Sequence, residues 1–109
     1  MIRVEVYRTE DKINAISFTG HAMYAPYGKD IVCSSASTCL ITTVNGISEI
    51  DDNYLNIEQT ENKVLLRVQK ENDICLKLLN NMINILEELE EQYPKNITML
   101  SKEGNLWIN

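Results

Sequence analysis

The sequence predicts an α+β fold in which two helices pack on one antiparallel or mixed sheet, in the order ββα-ββα-β. Three observations predict it. The chain opens with strict apolar/polar alternation, shifts twice to a three- and four-residue apolar spacing, and returns between those stretches to β-type composition. Hairpins followed by helices place one helical layer against one sheet.

Each element has its own signal. In "IRVEVYR", Ile2, Val4 and Val6 alternate with Arg3, Glu5 and Tyr7, and "INAISFTG" continues in β-type residues after the polar "TEDK", so the two read as a hairpin. From Asp30 the period changes. Val32, Ala36, Leu40, Thr43, Val44 and Ile47 describe a helix to about Ile50. Gly46 weakens that helix by up to about 1 kcal/mol relative to Ala without ending it. "YLNIEQT" and "KVLLRVQ" flank the polar turn "EN" as a second hairpin. Ile74, Leu78, Met82, Leu86 and Leu89, widened by Leu79, Ile83 and Ile85, form the strongest helical stripe. Asn72 or Asp73 caps its start, and Pro94 stops it after Tyr93. "NITMLSKEGNLWIN" closes the chain as one strand, or as two short ones turning at Glu103-Gly104.

A length of 109 residues suits a single domain, residues 1–109, with enough core to fold without disulfides or metal. Apolar and charged shares of 44% and 24% are those of an ordinary globular protein. No run approaches the roughly 20 apolar residues of a membrane span, and the N-terminal stretch lacks a signal-peptide layout, so no membrane partner is expected and the cytoplasm is the expected location. Three cysteines cannot all pair within one chain, which fits a reducing compartment. A net charge of −6 speaks against direct nucleic-acid binding and is compatible with a basic protein partner. The acidic run "EELEEQ", with Glu87, Glu88, Glu90 and Glu91, reads either as a solvated face or as a docking surface for such a partner.

The stretch "TGHAMYAPYGKDIVC" carries the chemistry. It holds the single histidine, His21, at the end of a predicted strand, and Cys33 in the first turn of a predicted helix. A thiol there meets unpaired backbone N–H groups and the positive end of the helix dipole, and both favour thiolate. With His21 over the same helix end, an activated sulfur, an acid–base group and oxyanion donors would stand together, the set that nucleophilic cysteine catalysis needs. A small buried core cysteine and a surface histidine are the competing reading of the same residues.

The neighbours leave alternatives open. Asp30 either caps the helix or orients His21. Ser37, one turn after Cys33, either approaches the sulfur or substrate or bonds back to its own helix carbonyl. Tyr24, Tyr27 and Gly28 belong either to a lid that excludes water or to an ordinary connection with half-buried tyrosines. Cys39 lies about 240° round the helix from Cys33. It is expected in the core with Ala36 and Leu40, as is Cys75 in the second helix. No C-x₂₋₄-C pair exists, so neither a zinc site nor another cofactor is expected, and a C-x-x-C redox protein is disfavoured.

The motif resembles that of the ribosomal-processing cysteine proteases of the Prp family. It reads Gly20-His21-Ala22, Tyr24, Gly28, Asp30-Ile31-Val32-Cys33 and Ser37. Length and element order agree with that family over the whole chain, although identifiable motifs are confined to this segment. The resemblance implies a homodimeric endopeptidase. Its substrate would be large-subunit ribosomal protein number twenty-seven, from which it removes an N-terminal extension by cutting between Phe and Ala. It further implies that His21 and Cys33 form the catalytic dyad, that the intervening loop orders on substrate, and that Gly20, Asp30 and Ser37 support the site. One departure stands out. Family members tend to carry small apolar residues after the Cys, where this chain has Ser34 and Ser35, which are still small enough for close backbone approach. A non-catalytic ribosome-assembly adaptor that binds a basic ribosomal protein is the alternative function.

Overall fold

The computed structural model describes residues 1–20 and 31–104. Its elements are β1 (Ile2–Thr9), β2 (Lys12–Thr19), α1 (Ile31–Ile50), β3 (Leu55–Gln59), β4 (Lys63–Val68), α2 (Asp73–Gln92) and β5 (Ile97–Glu103). This is the expected order. Of the closing segment, Ile97–Glu103 forms a strand followed by Gly104 at φ +125°, and residues 105–109 lie outside the described residues.

The five strands form one mixed sheet in the order β3-β4-β2-β1-β5. β1 runs antiparallel to β2 and parallel to β5, while β4 is antiparallel to both β2 and β3. The first hairpin turns through Glu10 and Asp11, both at positive φ, which matches the right-handed twist of its strands. A register shift at Tyr7/Arg8 marks a bulge before that turn.

The register gathers one apolar face. Val4 stands opposite Phe18 and Val6 opposite Ile16. Phe18 in turn faces Val64, and Ile16 faces Leu66, so the row crosses three strands. Ile2 lies beside Ile97 on the other side. Buried residues of both helices join this face in a single core: Val32, Cys33, Ala36, Leu40 and Ile47 of α1, and Cys75, Leu79, Met82, Ile83 and Leu86 of α2. The opposite sheet face carries charged side chains, among them Arg3, Glu5 and Lys102, with Glu5 3.7 Å from each of the two cations.

Three expectations shift, and one choice left open is settled. In α2 the core face is turned from the expected stripe, with Ile74 and Ile85 exposed. Asn72, not Asp73, is the N-cap, accepting from the amides of Ile74 and Cys75 at 3.1 Å each. In α1, Thr43 and Val44 are only half-buried. Among the described residues α1 is, by length and composition, long and apolar enough to cross a membrane, contrary to the expectation that no segment approaches a span. Its apolarity has a local account: one side packs into the core, and hydroxyl residues line the other.

Candidate active site

Three of the candidate residues lie on one helix. Cys33 is the third residue of α1, and only 5% of its surface is exposed. Ser34 is exposed and Ser37 half-buried. Among the described residues, the first turn of α1 carries no acidic side chain to oppose a thiolate at the positive end of the helix dipole.

Gly20 ends the strand on which the histidine motif begins. Its φ is +114°, and a Cβ added there would lie 2.3 Å from the Met1 carbonyl oxygen. Both the backbone sign and the close approach to β1 therefore demand glycine. The resemblance assigned Gly20 a supporting role. The structure supplies the physical one, holding the exit of β2 against the start of β1.

The register brings this exit and Cys33 to one end of the sheet. Ser37 lines a hollow with Gln59 and Val64. Val64 is the register partner of Phe18, two residues before Gly20. The first turns of α1 thus stand over the end of β2 from which the chain continues to His21. His21, Tyr24, Tyr27, Gly28 and Asp30 lie outside the described residues.

The other two cysteines have distinct surroundings. Cys75 is fully buried, as expected, and burial pushes its thiol pKa up, with Asp51 adding to the rise. Cys39 meets the expectation of a core position only in part, packing against the core from its margin. It is half-buried and lines a hollow of about 480 Å³ between the helices with Ser34, Thr38, Thr42 and Asn81. Burial raises its pKa too, against a hydrogen bond with Thr43 that lowers it. Burial favours the protonated thiol at both positions, and neither lies in the first turn of α1 with Cys33. Among the described residues no three His, Cys, Asp or Glu side chains converge as metal ligands.

Sequence reasoning missed the hollow beside Ser37. It has a volume of about 290 Å³ and is walled by Leu40, Ile41 and Val44 of α1 and by Ile57 and Leu66 of the sheet. The only sequence signal was Ile41, an apolar residue lying off the helical stripe.

Comparison with known proteins decides the family. The sequence pattern described as cysteine protease Prp matches residues 1–98. The chain belongs to the Prp family of cysteine proteases. The ribosomal processing cysteine protease Prp of Staphylococcus aureus (strain Mu50 / ATCC 700699) is 32% identical over 103 residues, covering 91% of this chain and 97% of that protein. The crystal structure of the essential S. aureus protease with a covalently linked product peptide superposes with a TM-score of 0.85 at 30% identity, covering 94% of this chain and all of that one. The same protease with a substrate peptide superposes with a TM-score of 0.83 at 28% identity, again over 94% of this chain and all of the other. The Prp fold, two helices on a five-stranded mixed sheet, is therefore the fold of this chain, and the chain is a cysteine protease.

Proposed function

We propose that this protease removes the N-terminal extension of large-subunit ribosomal protein number twenty-seven, cutting between Phe and Ala, with Cys33 as nucleophile and His21 as acid–base partner. The observation that carries this reading is the place of Cys33: the first turn of α1, at the sheet end where Gly20 hands the chain to His21. S. aureus Prp carrying a covalently linked product peptide supports a covalent route.

The steps follow from the helix tip. The Cys33 thiolate attacks the scissile carbonyl, forming a C–S bond, and the carbonyl electrons move to an oxyanion held by amides at the start of α1. When the tetrahedral species collapses, the C–N bond breaks and imidazolium of His21 protonates the departing amine. Neutral His21 then takes a proton from water, whose oxygen attacks the thioester, and Cys33 leaves as thiolate. Ser37 lines the hollow between α1 and the sheet, and Ser34 lines the hollow between the helices, each within one turn of Cys33. Tyr24, Tyr27 and Gly28 act as a lid over the bound peptide, and Asp30 serves as helix cap or as orienter of His21. A homodimer acting in the cytoplasm completes the reading.

The test incubates the extended ribosomal protein with wild type, Cys33→Ala and Cys33→Ser, and reads products by intact mass. Ala favours helix, and serine nearly matches the volume of the thiol, so the variants should keep the fold. Wild type should cleave once, between Phe and Ala, and both variants should lose at least about a thousandfold in rate, as expected when a nucleophile is removed. Equal cleavage by all three would remove Cys33 as the nucleophile and end this reading.

A further inference from the structure

Where the chain leaves β5, one buried acceptor lacks a donor. Gly104 follows that strand, and its amide donates to the Arg8 carbonyl at 3.0 Å. Its own carbonyl accepts from Asn14 Nδ2 at 2.7 Å, and the same nitrogen donates to Thr9 Oγ1 at 2.9 Å. Asn14 is the residue that the register of β2 skips between Ala15 and Ile13, so the bulge aims its side chain at this point. Asn14 Oδ1 is buried and accepts from no donor among the described residues. A buried acceptor without a partner is costly, which calls for a donor close by. The residues after Gly104 bring new backbone amides to this point.

The same point is the rim of a hollow. Lys12 and Ile13, directly before Asn14, line a cavity of about 210 Å³ with Tyr54, Val68, Lys70 and Leu76. Val68 and Leu76 are apolar yet only half-buried. The size decides what fits. Ligand clefts begin at about 300 Å³, whereas a cavity of about 150 Å³ already takes a benzene ring. This hollow therefore suits one aromatic side chain rather than a ligand. Lys12 and Glu71, both on its rim, pair at 3.2 Å with side chains 78% and 89% exposed, a contact too solvated to hold the mouth shut.

The chain itself supplies such a ring. Residues 105–109 read Asn-Leu-Trp-Ile-Asn, and Trp107 is the single tryptophan. Three large apolar residues in a row are unfavourable to leave in water. The segment lies past residue 98, where the family pattern ends, so the family's chemistry gives it no role. Three residues beyond Gly104 span up to about 10 Å, and Gly104 is bonded to the residue next to Ile13, so Trp107 can reach the hollow. We infer that this hollow is the docking site of the chain's own segment Leu106-Trp107-Ile108, with the Trp107 indole on Ile13, Val68 and Leu76 and a backbone amide of the segment donating to Asn14 Oδ1. Lys12 and Lys70 on the rim offer cations to the ring face. The docked segment ties the edge strand β5 to β4 and α2 across the end of the sheet. Cys33 lies towards the opposite end of β2, so the assignment does not rest on the protease reading.

A single tryptophan makes the test direct. In the full chain, Trp107 emission should be blue-shifted, and acrylamide should quench it about threefold less than free tryptophan, as for an aromatic ring largely removed from water. Leu76→Gln keeps a helix former and Val68→Thr keeps β-branching, while Ile74→Gln, on the exposed face of α2, is the control. Each hollow variant, folded by circular dichroism, should move the emission to the red and raise quenching towards the free value, with the control unchanged. If Leu76→Gln does not fold, Val68→Thr decides alone. Emission and quenching like those of free tryptophan in the folded wild type would overturn the docking. So would a protected indole that ignores both hollow variants. Protection lost on dilution would seat the ring in a second copy and overturn the assignment to the chain's own hollow.

Discussion

At Gly20 the backbone sign and the 2.3 Å approach to Met1 act together, whereas Gly104, at φ +125°, has nothing within 4 Å of an added Cβ. Gly104→Ala therefore carries only the cost of a side chain at positive φ, about 1–3 kcal/mol. Gly20→Ala carries that cost and must also displace backbone, so it should lower stability by about 3 kcal/mol or more in urea unfolding. Equal losses in the two variants would mean that the contact with β1 contributes nothing. Single residues were legible where they obeyed a period: Cys33 in the first helical turn and Cys75 in the core follow from spacing alone. Cys39 did so only in part. The apolar stripe was drawn wide enough to include it, yet the helix turns it towards the gap between α1 and α2, which nothing in its sequence neighbourhood records.

Between elements, one carboxylate joins the end of α1 to the start of α2. Asp51 accepts from Lys70 at 3.0 Å, from the Asn53 amide at 3.1 Å and from the Asn72 side-chain amide at 3.3 Å, while Asn72 itself caps α2. The hydrogen bond from Lys70 foremost holds the Asp51 carboxyl below its ordinary value, with the Asn53 and Asn72 donors adding to it against some burial. A depressed carboxyl binds fewer protons folded than unfolded, so its contribution is complete above the unfolded pKa, about 3.9, and is lost as pH falls through the folded one. Asp51→Asn should lower Tm at neutral pH and flatten the fall of Tm with acid below pH 4. An unchanged acid slope would remove Asp51 from the account. This junction also explains the turned face of α2. Ile74, Leu78 and Ile85 are as apolar as Leu79 and Ile83, so periodicity allows either face. The Asn72 cap and the core contacts of Cys75, Leu79 and Met82 select one.

For the whole molecule, element order was legible because hairpins and helices each carry a local period. The strand order was not, because the parallel pairing of β5 with β1 joins the two ends of the described chain and leaves no local pattern. The hollow beside Ser37 was hidden for the same reason: its walls come from α1 and the second hairpin, and only folding sets them side by side. What the molecule does depends on that assembly. A core of both helices fixes α1 so that Cys33 stands at the sheet end where β2 leads to the histidine. The most direct measurement is the iodoacetamide alkylation rate of Cys33 against pH, assigned by peptide mass, in wild type and His21→Ala. Cys39 and Cys75, whose pKa values burial raises, serve as slow internal references. The account predicts an inflection at Cys33 well below the ordinary thiol value of about 8.5, moving upward when the imidazole is removed. An inflection at or above that value, the same in both proteins, would contradict it.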